Sequence, residues 1–285
     1  MSAPGEPRYS PAWLELREGA DAAARAPALL GPLRAHLARS PRPAPELVIR
    51  DLGCGTGSMG RWLAPRLPGP QHWILHDRDP GLLALAAARA PRTAVDGGGV
   101  TTVTEETDVA RLTADALAGT SLVTASALLD LLTREESDAL AAACAGADCP
   151  ALLALSVTGR VELAPAEPLD AEIAEAFDAH QRRSERGRRL LGPDAVAVTA
   201  EAFERRGATV VTHPSPWRLG AADPALTAEW LRGWTGAACA WRPGLAPRAG
   251  PYLARRLAAC AAGELRVTVQ HGDLLALPPA PDGAP

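Results

Sequence analysis

Short apolar runs alternate with helix-period segments through the first half of the chain. Residues 47–49, 71–77, 100–104, 121–125 and 151–156 read as strands, because branched and apolar side chains concentrate there between turn residues. The segments between them carry helix-start signals, such as Asp79-Pro80-Gly81, with Pro in the first turn. Regular strand–helix alternation predicts an α/β domain, a doubly wound and mostly parallel sheet with helices on both faces. After residue 156 the spacing breaks. A helix over 199–206 and strands over 208–213 and 265–271 resume the pattern, giving a seven-stranded sheet with helical insertions at 159–193 and 214–263.

Residues 1–44 precede this domain. Ser10-Pro11 opens a helix with Trp13, Leu16, Ala20 and Ala23 on one face, and a second follows over 29–38 with Leu30, Leu33 and Leu37 as its stripe. Arg17, Asp21 and Arg25 repeat at i, i+4 as a charged ladder, worth about 0.2–0.5 kcal/mol per pair on a solvated helix. Pro-rich residues 40–45 form a stiff linker into the domain at 45–277, and 278–285 read as a disordered tail.

The densest chemical signal is Asp51-Leu-Gly-Cys-Gly-Thr-Gly57, between the first strand and a helix from Ser58. Gly53, Gly55 and Gly57 permit a sharp turn and a close ligand approach, and the helix offers free N–H groups. Gly55, Gly57 and Gly60 also fit the dinucleotide fingerprint, with Asp77 at the expected distance. Asp51 ahead of the glycines instead suits a ligand carrying a cationic amine. Asp77, ending the second strand, can accept hydrogen bonds from two ribose hydroxyls.

The acidic-x-Gly-x-Gly-x-Gly pattern, followed by Asp77-Arg78-Asp79-Pro80, resembles the class I S-adenosylmethionine (SAM)-dependent methyltransferase family over residues 45–158. The resemblance implies SAM as cofactor, held by Asp51, Gly53, Cys54, Gly55, Gly57, Asp77 and Arg78. Asp108 and Val109 would lie at the adenine, with Glu106 as a rival acid, and Ser126 after the fourth strand would line the transfer site. It also implies a last strand inserted antiparallel between the fifth and sixth.

Composition narrows the partners. The chain has 285 residues, a net charge of −4 and five cysteines. All of its basic charge is Arg, as a GC-rich genome would give. Neither nucleic acid nor membrane is expected as a partner at this charge. Cysteines without C-x-x-C spacing argue against a disulfide scaffold or zinc site and for a reducing, cytoplasmic setting. No local spacing assembles a metal cluster.

Transfer from SAM demands alignment of the acceptor and, for a hydroxyl or amine, removal of a proton. The Asn/Asp-Pro-Pro-aromatic signature of adenine-amino methyltransferases is absent after the fourth strand, where Ser126-Ala-Leu-Leu stands. A small-molecule acceptor methylated on oxygen or nitrogen is therefore the first reading. A protein or RNA target, a nicotinamide-dependent oxidoreductase and a non-catalytic SAM-binding module stand as alternatives. His180 heads an arginine run in the first insertion and is the candidate base; Arg182 and Arg183 are candidate clamps for an acceptor anion. His213 and His271, both on strands, read as structural. The tryptophans at 217, 230, 234 and 241 read as core before substrate cage. Oligomeric state is open.

Overall fold

Strands buried on both faces make a parallel sheet, and the first half of the chain supplies them. A computed structural model describes residues 10–39, 46–108 and 112–279; the proline-rich linker, Val109 and the end of the tail lie outside these residues. β1 (Leu47–Leu52) pairs in parallel with β2 (Gln71–Asp77) and β4 (Leu122–Ser126). β3 (Val100–Glu106) joins β2, and β5 (Ala151–Ala164) joins β4, also in parallel. β10 (Arg266–Leu277) then enters antiparallel between β5 and β8 (Thr209–Pro214), and β9 (Trp217–Leu219) pairs its first half.

The full order is β3-β2-β1-β4-β5-β10-β8, a doubly wound, mostly parallel sheet with the last strand inserted antiparallel, as the sequence resemblance implied. The order reverses between β1 and β4, so a crevice opens at the carboxyl end of β1, where Asp51 stands.

Apolar stripes cover both faces. One face packs α2 (Leu30–Arg39) and α3 (Ser58–Leu63), with Leu33, Leu37, Trp62 and Leu63 against Ile49 and Trp73. The other takes α5 (Arg134–Gly146) and α7 (Ala195–Glu204), with Ala141, Val198 and Phe203 against Val123 and Leu153. Thr133 and Glu136 form a reciprocal capping box at the start of α5, satisfying two backbone donors. A separate core lies above the carboxyl ends of the strands. It is built by α6 (Leu169–Gln181), α8 (Pro224–Trp241), α9 (Ala246–Ala261) and β9, around Ile173, Leu231, Trp234 and Tyr252. Buried Arg256 and the Tyr252 hydroxyl both donate to Asp170, which fastens α9 to α6.

Three local readings of the sequence differ from the structure. The fifth and last strands run on to Ala164 and Leu277. Their pairing shifts register between Val269 and His271 and again between Gly272 and Leu274, and such bulges break the alternation by which a strand is recognised. The arginine run is a small hairpin of β6 (Ser184–Glu185) and β7 (Arg188–Arg189), turned by Arg186 and Gly187 at positive φ. The charged ladder of α1 (Pro11–Ala24) faces inward: Asp21 is 4% and Arg25 1% exposed.

Candidate active site

The glycine loop turns at three positions of left-handed φ: Gly53 at 60°, Gly55 at 56° and Gly57 at 82°. A Cβ at Gly55 would lie 3.2 Å from a Leu14 methyl of α1, so a side chain there is crowded as well as disfavoured by φ. Two bonds fix the loop against β2. The Cys54 amide donates to the His76 carbonyl at 2.9 Å, and the Gly55 amide donates to Asp77 Oδ2 at 2.9 Å. The other oxygen of Asp77 accepts from the Asp79 amide at 3.0 Å. Asp79 caps α4 (Pro80–Ala88) through the Gly81 and Leu82 amides, and Asp77 and Asp79 both line the crevice.

Asp51 is fully buried. Its Oδ1 accepts from Thr124 at 2.8 Å, whereas Oδ2 has no hydrogen-bond partner. Burial pushes its pKa up to about 7, opposed by the Thr124 hydroxyl and by the charge of Arg25. The folded protein therefore binds a proton that the unfolded chain has lost at the same pH. Stability conferred at low pH is lost as pH rises from about 4 towards 7, by at most ~1.4 kcal/mol per pH unit. Thermal melts should show the wild-type midpoint falling across this window and Asp51→Asn staying flatter. Parallel profiles would mean that Asp51 does not titrate there.

Arg25 lies behind the loop. Its Nη2 donates to Ser58 Oγ and Ser126 Oγ, both at 3.0 Å, so one guanidinium joins the start of α3 to the end of β4. Both serines line the cavity. Cys54 also lines it, but burial and the neighbouring Asp51 push its thiol pKa far up, so it stays protonated and serves as packing.

The crevice opens into a cavity of about 1130 Å³. That exceeds the ~300–1,000 Å³ usual for one ligand. Its floor holds Asp51, Gly53, Cys54, Gly55, Asp77, Arg78 and Ser126. Gly57 lies outside the wall as the residue that starts α3. Thr107 reaches the cavity, whereas its neighbour Asp108 is absent from the lining, as is Glu106.

The roof comes from α1, α6, β9 and α8. His180, Gln181 and Arg183 reach the cavity, as do Trp217, Trp230 and Trp234; Trp241 is 48% exposed on the outside. Arg182, expected at an acceptor anion, is instead held by Asp194 through two bonds of 2.7 and 2.8 Å and does not line the cavity. Burial, and then Arg183, hold His180 below the ordinary imidazole range, so it is neutral at neutral pH. His271 also lines the wall, with its ring 5.2 Å from that of Trp217, and burial lowers its pKa to about 4. His213 is exposed and bonds the Pro214 carbonyl, away from the cavity.

Several residues of the cavity wall were not singled out in the sequence. Leu14, Arg17 and Asp21 of α1 form part of the wall. A charged i, i+4 ladder looks the same facing solvent or facing a polar cavity, so periodicity alone could not place it. Among the described residues no cluster of three or more metal-ligating side chains occurs, and no helix is long and apolar enough to cross a membrane.

No family model and no curated protein matches this chain. Solved structures similar to it include a cyclopropane synthase from Mycobacterium tuberculosis, at 14% identity and a TM-score of 0.44, covering 87% of this chain and 84% of that one. Magnesium protoporphyrin IX methyltransferase from Synechocystis, with bound S-adenosylhomocysteine, shows 17% identity and a TM-score of 0.43 over 74% of this chain and 84% of its own. A SAM-dependent methyltransferase from Geobacter sulfurreducens, also with S-adenosylhomocysteine, shows 16% identity and 0.41 over 95% and 99%. Likeness of this degree leaves the chemistry to be argued from the residues themselves.

Proposed function

We propose that the protein is a SAM-dependent methyltransferase acting on a small molecule. The observation that carries this reading is the pairing, at one crevice, of a glycine loop that disfavours side chains with two carboxylates. Asp51, buried and with one oxygen unpartnered, suits an ammonium group; Asp77, part-buried on the same floor, suits ribose hydroxyls. A nicotinamide dinucleotide would bring a pyrophosphate to the turn, where the buried acid Asp51 would repel it.

In this reading SAM supplies a methyl group already activated on a sulfonium centre. Asp51 receives the amino group and ionises as it does so, which releases its proton. Asp77 would hold the ribose, and Ser58 and Ser126, fixed by Arg25, would flank the amino-acid end. Arg78 and Thr107 would border the base, and Asp108 and Val109 remain expected near the adenine. The roof excludes water and aligns the acceptor, so that much of the acceleration comes from positioning.

His180, neutral and in the roof, takes the proton from an acceptor hydroxyl or amine. Arg183, which also donates to the His180 carbonyl, borders the acceptor. Replacing His180 by Ala should lower kcat on the order of a hundredfold with little change in SAM affinity. A kcat within threefold of wild type would leave catalysis to alignment alone. The enclosure of the cavity favours a small molecule over protein or RNA, because three helices and β9 roof it. The setting proposed is cytoplasmic.

The reading is tested by photocrosslinking with SAM labelled on its methyl group. Label should enter the protein and be displaced by S-adenosylhomocysteine but not by NAD. Displacement by NAD alone would replace the reading with a nicotinamide site. Crosslinking in a protein that never releases S-adenosylhomocysteine from any acceptor pool would favour a binding module.

A further inference from the structure

The floor of the cavity carries more negative than positive charge. Asp51, Asp77 and Asp79 line it, with Asp130 beyond β4, and Arg78 stands between two of these acids. An amino-acid group brings a carboxylate as well as an ammonium, and acids so placed repel the carboxylate. An intact amino-acid end therefore needs a cation beside its carboxylate.

Most arginines near the site are engaged elsewhere. Arg17 is held by Asp21 through two bonds of 2.9 and 3.2 Å, and Arg61 by Glu18 through two bonds of 2.6 Å. Arg183 stands in the roof, 3.5 Å from Glu185. Arg78 is exposed, where water and salt screen its charge.

Arg25 differs from all of these. It is buried, yet among the described residues it makes no ion pair, and its Nε and Nη1 have no hydrogen-bond partner. Asp21 uses both oxygens on Arg17 and Trp217, and Asp273 uses both on the Ala26 and Leu155 amides. The Trp62 ring, 5.7 Å from the guanidinium carbon, flanks the head group. Arginine keeps its charge in folded proteins, and a fully buried one without an ion pair is rare. Such a charge points to an anion brought by a ligand.

Two hydroxyls connect this charge to the cavity. Arg25 Nη2 donates to Ser58 Oγ and Ser126 Oγ, and both serines are half-buried in the cavity lining. A hydroxyl that accepts from a guanidinium keeps its single hydrogen for another acceptor. Among the described residues, neither hydroxyl donates to a protein group.

We propose that Arg25 is the positioning residue for the carboxylate of the cofactor's amino-acid end, acting through Ser58 and Ser126. The guanidinium orients and polarises the two hydroxyls, and they donate their hydrogens to the carboxylate. The ammonium of the same ligand goes to Asp51. The buried charges of Arg25 and Asp51 are thus matched by the opposite pair on an intact α-amino acid. Arg25 comes from the end of α1, ahead of residues 45–158 over which the family resemblance runs. The inference rests on the SAM reading of the same cavity.

The test is calorimetry on the full chain with two ligands. One is S-adenosylhomocysteine; the other is its decarboxylated analogue, which keeps the amine and lacks the carboxylate. Wild type should bind S-adenosylhomocysteine about tenfold more tightly, as expected for charge-assisted hydrogen bonds. In Arg25→Gln the preference should fall to about twofold, with the loss confined to S-adenosylhomocysteine. Ser126→Ala removes one hydroxyl without touching the buried charge, and it should lower the preference about threefold even if Arg25→Gln fails to fold. Equal weakening of both ligands in these variants would make Arg25 a structural staple and overturn the proposal. A wild type that binds the two ligands alike would overturn it too. Failure of wild type to bind S-adenosylhomocysteine at all would instead remove the cofactor reading beneath it, which separates the two failures.

Discussion

Gly55→Val should lose S-adenosylhomocysteine binding by more than a hundredfold while the protein remains folded. Gly55 sits at φ 56°, where a β-branched residue is strained by about 1–2 kcal/mol or more. The first carbon of a new side chain would stand 3.2 Å from Leu14, and the two methyls beyond it would extend into the crevice. The same amide donates to Asp77, so a shift of the loop to relieve the clash would also displace the ribose-binding carboxylate. Gly31→Ala is the matched control, since its added carbon meets nothing within 4 Å on α2. Retained tight binding in Gly55→Val would place the ligand elsewhere.

Asp273→Ala should be the most destabilising single substitution near the site. Its carboxylate, 2% exposed, accepts the Ala26 amide through Oδ2 and the Leu155 amide through Oδ1, both at 2.8 Å. One side chain thus joins the segment after α1, the strand β5 and the bulge of β10. Removing it orphans two buried donors, at ~1–3 kcal/mol each, so a total loss of about 2–6 kcal/mol is expected. Urea unfolding measures it. Leu155 lies in the cavity wall at φ 58°, a conformation that persists only while its surroundings hold it. Ligand binding should therefore weaken together with stability. A loss below 1 kcal/mol would show that water replaces the carboxylate and that the bulge holds itself.

The contrast between these two positions shows where the sequence was legible. Gly55 belongs to a motif whose meaning is local: strand, turn and helix start are adjacent in the chain, and the glycines announce the backbone they allow. Asp77 and Asp79 were readable for the same reason, one ending a strand and the other capping a helix. Asp273 has partners 247 and 118 residues away, and no local pattern marks an acid in a strand as a buried staple. Arg25 and Asp21 were hidden similarly, because helical spacing gives a charged stripe but not the direction in which it faces. The arginine run divides between surface ion pairs and the cavity for a related reason. Arg182 and Arg188 meet Asp194 and Glu136, acids supplied by other elements, and only Arg183 reaches the cavity. The tryptophans were legible as a cluster, yet their double service as roof core and cavity wall depends on how α8 is laid over the sheet.

The central claim is that the glycine loop, Asp51 and Asp77 form a site for SAM. Calorimetric titration of wild type and Asp77→Ala with S-adenosylhomocysteine and with NAD tests it most directly. The account predicts binding of S-adenosylhomocysteine and none of NAD to wild type. In Asp77→Ala the affinity should fall about ten- to a hundredfold, or ~1.5–3 kcal/mol, as two ribose hydroxyls lose their acceptor. Tight binding of NAD with no response to S-adenosylhomocysteine would contradict it.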